Sequence, residues 1–115
     1  MNIKNTLQTA LFSSIGALAL AAAGPAFSVD EAAAEALAKA SKCTKCHSPT
    51  KKKDGPAYKE TAEKYKGKAD AVDKLYKHLT TNPKIKVDGK EEEHAGVKST
   101  NEADIKNLIA YILSR

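Results

Sequence analysis

The 115-residue sequence has no tryptophan, a single methionine, Met1, and only two phenylalanines, Phe12 and Phe27. Cysteine is nearly absent too: Cys43 and Cys46 are the only two. That excludes a disulfide-rich scaffold. A structural zinc site is also disfavoured, because it wants four Cys or His ligands at paired spacings and His78 and His94 lie 16 residues apart. Long apolar runs are missing as well. Ala10–Ala23 spans 14 residues, interrupted by Ser13, Ser14 and Gly16, and falls short of the ~20 that cross a bilayer. The length allows one domain and excludes a multidomain enzyme.

What the first 28 residues do contain reads as an export signal. Asn2, Lys4 and Asn5 make a short positive start, the apolar run follows, and Gly24-Pro25 breaks it. Ala26-Phe27-Ser28 then sets small residues where a signal peptidase needs them. Cleavage after Ser28 is expected, with a periplasmic location and no membrane insertion afterwards. The chain thus divides into a signal peptide, residues 1–28, and a domain, residues 29–115. That domain has 87 residues with 18 basic and 14 acidic groups, a net +4, and its only aromatics besides histidine are four tyrosines. Only 13 Val, Leu and Ile residues remain to build a core. A domain this small buries little more than ~60% of its unfolded surface and usually needs a metal, disulfides or a cofactor as a staple.

The pattern predicts helices joined by loops, with no convincing strand. Asp30 can cap an Ala-rich helix from Glu31 to about Lys42, with acids early and lysines late. Pro56 can open a second helix, Ala57–Lys66, which Gly67 closes. A third runs from about Asp70 to Thr80, with Val72, Leu75, Tyr76 and Leu79 as its apolar stripe, and Asn82-Pro83 ends it. Lys84–Lys98 lacks a helical period, and Val87-Asp88-Gly89-Lys90 reads as a turn. In the last helix Ser99 and Glu102 form a capping box. Ile105, Leu108, Ile109, Ile112 and Leu113 share one face. The fold class is a small all-α domain.

Cys43-Thr44-Lys45-Cys46-His47 carries the chemistry. C-x-x-C-H is the attachment pattern of a c-type haem. Two thiols three positions apart can add to the two vinyl groups of one porphyrin, and the adjacent imidazole reaches the iron. A thioredoxin-type dithiol belongs near a βαβ pattern that is absent here. A disulfide between these cysteines would close too short a loop to constrain much. A covalent haem also supplies the large apolar body the sequence lacks.

The motif at the end of an N-terminal helix, Gly55-Pro56-Ala57-Tyr58-Lys59 shortly after it, and the capped C-terminal helix together resemble the class I monohaem cytochromes c, the small bacterial periplasmic ones above all. The resemblance spans Asp30 to Arg115. It implies about four helices around one haem c per chain, with the N- and C-terminal helices crossing near it. It further implies that Cys43 and Cys46 hold the haem, that His47 is the proximal iron ligand, and that the Pro56 carbonyl accepts a hydrogen bond from His47.

The sequence departs from the family at the sixth ligand. Family members place a methionine in the loop before the last helix, and this chain has none there. In that loop, Asn82–Lys98, the strongest donor is His94, and imidazole suits iron well. His94 is therefore the expected distal ligand, giving a bis-histidine haem. His78 is the other candidate ligand, but it lies about 120° from Val72 on a helical wheel, off the apolar stripe, and is expected at the surface. Lysine, Asn82 or an empty position are the remaining options. A second imidazole in place of a thioether favours ferric iron and lowers the reduction potential.

Lys39, Lys42, Lys45, Lys51, Lys52 and Lys53 cluster around the motif. They can steer a transient acidic redox partner, or they are an ordinary solvated surface. Export and the lack of stacking aromatics argue against nucleic acid. The function expected is a monomeric electron carrier without catalysis of its own, since no acid–base pair or substrate pocket is legible. The alternative is a gas-binding or sensing haem protein with a labile or absent distal ligand. A third reading is a peroxidase-like enzyme subunit whose haem feeds a partner.

Overall fold

The computed structural model describes residues 28–115. The export-signal reading rests on residues 1–27, which lie outside the described residues. Four helices, α1 (Glu31–Ala40), α2 (Tyr58–Tyr65), α3 (Ala71–Thr80) and α4 (Glu102–Leu113), are joined by one short hairpin, β1 (Lys84–Val87) and β2 (Lys90–Glu93).

Helix α1 begins where the Asp30 carboxylate accepts from the Ala33 N–H at 2.9 Å. It stops at Ala40, two residues sooner than its composition suggests. Lys42 turns left-handed, at φ 60°, and throws the chain into a single 3-10 turn, Cys43–Lys45. That break presents the C-x-x-C-H segment at the helix end. Ala34 and Ala38 are buried, and their small side chains let α4 come close. The crossing is fixed by a reciprocal pair: the Asp30 N–H donates to Asn107 Oδ1, and Asn107 Nδ2 donates to the Asp30 carbonyl, each at 2.9 Å.

Helix α4 supplies the fully buried Ile105, Leu108 and Ile109 and packs against α1, α2 and α3. Its cap is Asn101, whose Oδ1 accepts from the N–H groups of Ala103 and Asp104. The expected cap, Ser99, instead accepts from the Asn101 N–H and so braces the capping residue. Tyr58 of α2 meets Tyr111 of α4 edge to face at 6.0 Å.

Helix α3 is rotated relative to the predicted stripe. Its buried residues are Ala71, Leu75 and Leu79, while Val72 is 39% exposed. A stripe anchored on Ala71 carries His78 with it, about 20° away on the helical wheel. His78 is accordingly half-buried rather than on the surface.

Part of the predicted loop is a hairpin. Lys84 pairs with Glu93, Ile85 with Glu92, Lys86 with Glu91 and Val87 with Lys90. Asp88 and Gly89 both take positive φ, 50° and 79°, as a two-residue type I′ turn requires. The four-helix architecture is otherwise the one expected. After the hairpin, the Val97 N–H donates to the Leu79 carbonyl and the Lys98 N–H to Ser41 Oγ. These bonds return the chain across α3 to the end of α1.

Candidate functional site

The 3-10 turn sets Cys43, Cys46 and His47 on one short arc, with the His47 N–H donating to the Cys43 carbonyl at 2.9 Å. Both thiols are free and partly exposed. Burial pushes the Cys43 thiol up from its ordinary value, opposed by a backbone hydrogen bond. His47 donates through Nδ1 to the Pro56 carbonyl at 2.7 Å, the contact that the family resemblance implies. That bond fixes the tautomer and leaves Nε2 with its lone pair directed away. Pro56 can reach because the intervening loop is tied back. The Gly55 N–H donates to the Cys46 carbonyl at 2.8 Å, and the Tyr58 N–H to the Ser48 carbonyl at 3.0 Å.

Gly55 lies flat against the imidazole. A Cβ at that position would sit 2.4 Å from Cε1 and 2.8 Å from Nδ1 of His47. Tyr58 covers the ring from another side, nearly parallel at 22° and 5.8 Å between centroids. Burial raises its phenol pKa to about 12, aided by Cys43 and Tyr111.

His94 faces His47 across the site with ring centroids 6.2 Å apart. It leaves the end of β2, and its backbone N–H bonds the Pro83 carbonyl at 2.8 Å, so the base of the hairpin delivers it. Burial, then the nearby His78 and His47, pulls its pKa down to about 4. The ring is therefore neutral near pH 7, with a lone pair to offer. His78 packs against it at 4.1 Å between centroids.

Among the described residues, two buried side-chain polar atoms lack a hydrogen-bond partner, the Tyr58 hydroxyl and His94 Nδ1. The two unpaired thiols and the adjacent His47 imidazole fit the attachment set of a covalently bound haem, and His94 faces that imidazole.

Sequence reasoning named Cys43, Cys46, His47, Pro56 and His94, and the structure brings His47, Pro56 and His94 around one site. It gave Gly55 and Tyr58 no role and set His78, the other candidate ligand, at the surface. For the first two the signal was present in the Gly55-Pro56-Ala57-Tyr58 run. For His78 the signal was hidden by taking Val72 rather than Ala71 as the start of the stripe.

Fold and site define a haem protein of the c type. The cytochrome c family model matches residues 31–115, and the chain belongs to that family of haem-based electron-transfer proteins. It is similar to the crystal structure of the class 1 cytochrome MtoD from Sideroxydans lithotrophicus ES-1. The two are 50% identical over 76% of this chain and 97% of that one, with a TM-score of 0.72. Wild-type cytochrome c552 of Nitrosomonas europaea is 30% identical over 70% of this chain and 96% of that one, at a TM-score of 0.55. Cytochrome c-552 of Hydrogenobacter thermophilus is 54% identical over 41 residues, which is 36% of this chain and 42% of that protein. The cofactor is haem c, and Cys43, Cys46 and His47 fit its C-x-x-C-H attachment motif. Among the described residues no helix is long and apolar enough to cross a membrane.

Proposed function

We propose that this protein is a periplasmic single-electron carrier whose iron is held between His47 and His94, with Cys43 and Cys46 as the thioether anchors. The 6.2 Å between the His47 and His94 ring centroids carries the reading. Two imidazole nitrogens each about 2.0 Å from a shared metal put their ring centres roughly 6 Å apart. The haem supplies the one-electron couple, and the chain's residues do the rest. Pro56 holds the proximal ring in its donor tautomer. Gly55 and Tyr58 hem that ring in on its sides. The hairpin base holds the distal ring on the far side.

Two neutral imidazoles favour ferric iron, so the potential lies below that of methionine-ligated relatives. With both axial positions filled there is no open coordination site for catalysis, and the function is carriage alone. Lys39, Lys42, Lys45, Lys51 and Lys52 are exposed around the thioether arc. Lys53 is exposed too, with its ammonium anchored to the Thr44 carbonyl at 2.7 Å. This basic face suits brief docking of an acidic redox protein by the monomer, at a rate that falls as salt rises. Processing after Ser28 and export to the periplasm complete the proposal.

The test is the EPR spectrum of the ferric holoprotein with and without His94→Ala. Low-spin iron in the wild type and high-spin iron in the variant are expected, with rapid CO binding by the reduced variant only. A low-spin signal indifferent to the substitution overturns distal ligation by His94.

A further inference from the structure

Apart from two tyrosines, Ser41 is the only polar residue buried among the described residues. A buried hydroxyl calls for a partner, and this one has it 57 positions along the chain: Ser41 Oγ accepts from the Lys98 N–H at 2.9 Å. The two ends of that bond belong to opposite halves of the site. Ser41 caps α1, its own N–H donating to the Leu37 carbonyl at 2.9 Å, and stands just before Cys43. Lys98 closes the segment that begins at His94. That segment is fastened at three points. The His94 N–H donates to the Pro83 carbonyl at 2.8 Å and the Val97 N–H to the Leu79 carbonyl at 3.0 Å. Gly96, between them, lies so flush that a Cβ there would stand 2.9 Å from Asn82 Oδ1 and 3.4 Å from the Leu79 carbonyl oxygen. Those two bonds run to α3 and the turn that follows it. The third, to Ser41, ties the segment to the arm that carries Cys43, Cys46 and His47.

We infer that Ser41 is a positioning residue for the distal ligand: its hydroxyl latches the His94–Lys98 segment onto the haem-attachment arm and so holds the His94 imidazole opposite His47. This rests on the reading that His94 binds the iron. For His94 to swing away the segment has to lift, and the latch adds its share to the cost of lifting. Losing one intramolecular hydrogen bond shifts such an open–closed equilibrium roughly 2- to 10-fold. CO binds the reduced protein only when the distal position is open, so its binding rate reads that equilibrium directly.

The experiment measures CO binding to the reduced holoprotein, with ferric EPR alongside, in wild type, Ser41→Ala, Ser41→Thr, His94→Ala and the double variant that combines Ser41→Ala with His94→Ala. Ser41→Ala should stay low-spin in the ferric state and bind CO roughly 2- to 10-fold faster than wild type. Ser41→Thr, which keeps the hydroxyl, should return the rate to near the wild-type value. Once His94 is gone, Ser41→Ala should have no further effect. In the wild type the Lys98 amide should exchange its hydrogen slowly, and Ser41→Ala should speed that exchange by the same factor as CO binding.

A wild-type CO rate in Ser41→Ala, beside a high-spin and fast-binding His94→Ala, overturns the latch and leaves ligation by His94 intact. A low-spin His94→Ala with unaltered CO binding overturns both readings. Acceleration by Ser41→Ala that persists in the double variant overturns the latch too, because the effect then does not pass through His94. A wild-type Lys98 amide that exchanges as fast as an unstructured chain does the same without any substitution.

Discussion

Gly55→Ala is the most informative single change, because the three nearest atoms its new methyl would meet all belong to the proximal ring. Gly55 has no left-handed φ, so alanine is welcome to the backbone. On entropy alone it would stabilise the fold by ~0.4–1 kcal/mol. The new methyl, however, would stand 2.4 Å from Cε1, 2.8 Å from Nδ1 and 3.0 Å from Nε2 of His47. Ordinary contact starts near 3.4 Å, so the ring has to retreat by about 1 Å. That retreat pulls on the 2.7 Å bond to Pro56. Overpacking of this kind costs ~1–3 kcal/mol, and a weakened hydrogen bond adds ~0.5–1.5 kcal/mol. A net destabilisation of about 2 kcal/mol is expected, which in a domain of this size lowers Tm by roughly 8–16 °C.

The assay is thermal unfolding of the ferric holoprotein, followed by far-UV dichroism and by the haem absorbance. The same sample should show perturbed EPR g-values. Gly67→Ala is the control. It meets no atom within 4 Å but sits at φ 73°, so it costs ~1–2 kcal/mol through the backbone and leaves the spectrum alone. If Gly55→Ala melts with the wild type and keeps its spectrum, the close approach of glycine and imidazole has no bearing on the site, and the reasoning fails.

Leu108→Ala removes a fully buried side chain and should cost ~2–5 kcal/mol in denaturant unfolding; a loss under ~1 kcal/mol would mean that α4 is not the centre of the core. Gly89→Val places a β-branched residue at φ 79°, which should loosen the hairpin and speed CO binding to the reduced protein; unaltered CO kinetics would show that the turn does not govern the distal ring. For pH, an unfolded His94 takes up a proton below about 6.5, which the folded ring refuses until about 4. Its contribution to stability is therefore intact above pH 6.5 and declines as the pH drops from there toward 4. Acid unfolding should show a gentler decline in His94→Leu than in wild type; equal slopes would refute the assignment.

Most of the helices and the proximal half of the site were legible in the sequence because local signals determine them. Asp30, Gly67 and the Ile105–Leu113 face mark their helices with little help from the rest of the molecule. The C-x-x-C-H spacing likewise identifies its own cofactor. The hairpin was harder to see, since Lys84–Val87 has only two apolar residues and β2 is Lys90 followed by three glutamates. The Asp88-Gly89 turn was the real cue, and its strands are held by cross-strand charges, with Lys84 and Glu91 paired at 2.9 Å. The place of His78 depended on which side of α3 meets α4, a tertiary choice. Ala71 made that choice, and a wheel drawn on large apolar residues alone overlooks alanine.

Helix α4 receives α1, α2 and α3, yet it is the last element in chain order, and its clasp to Asp30 joins residues 77 positions apart. As the polypeptide emerges, the earlier helices have no surface on which to settle until that final segment arrives. The core beside Cys43 therefore closes only once Ile105, Leu108 and Ile109 are in place.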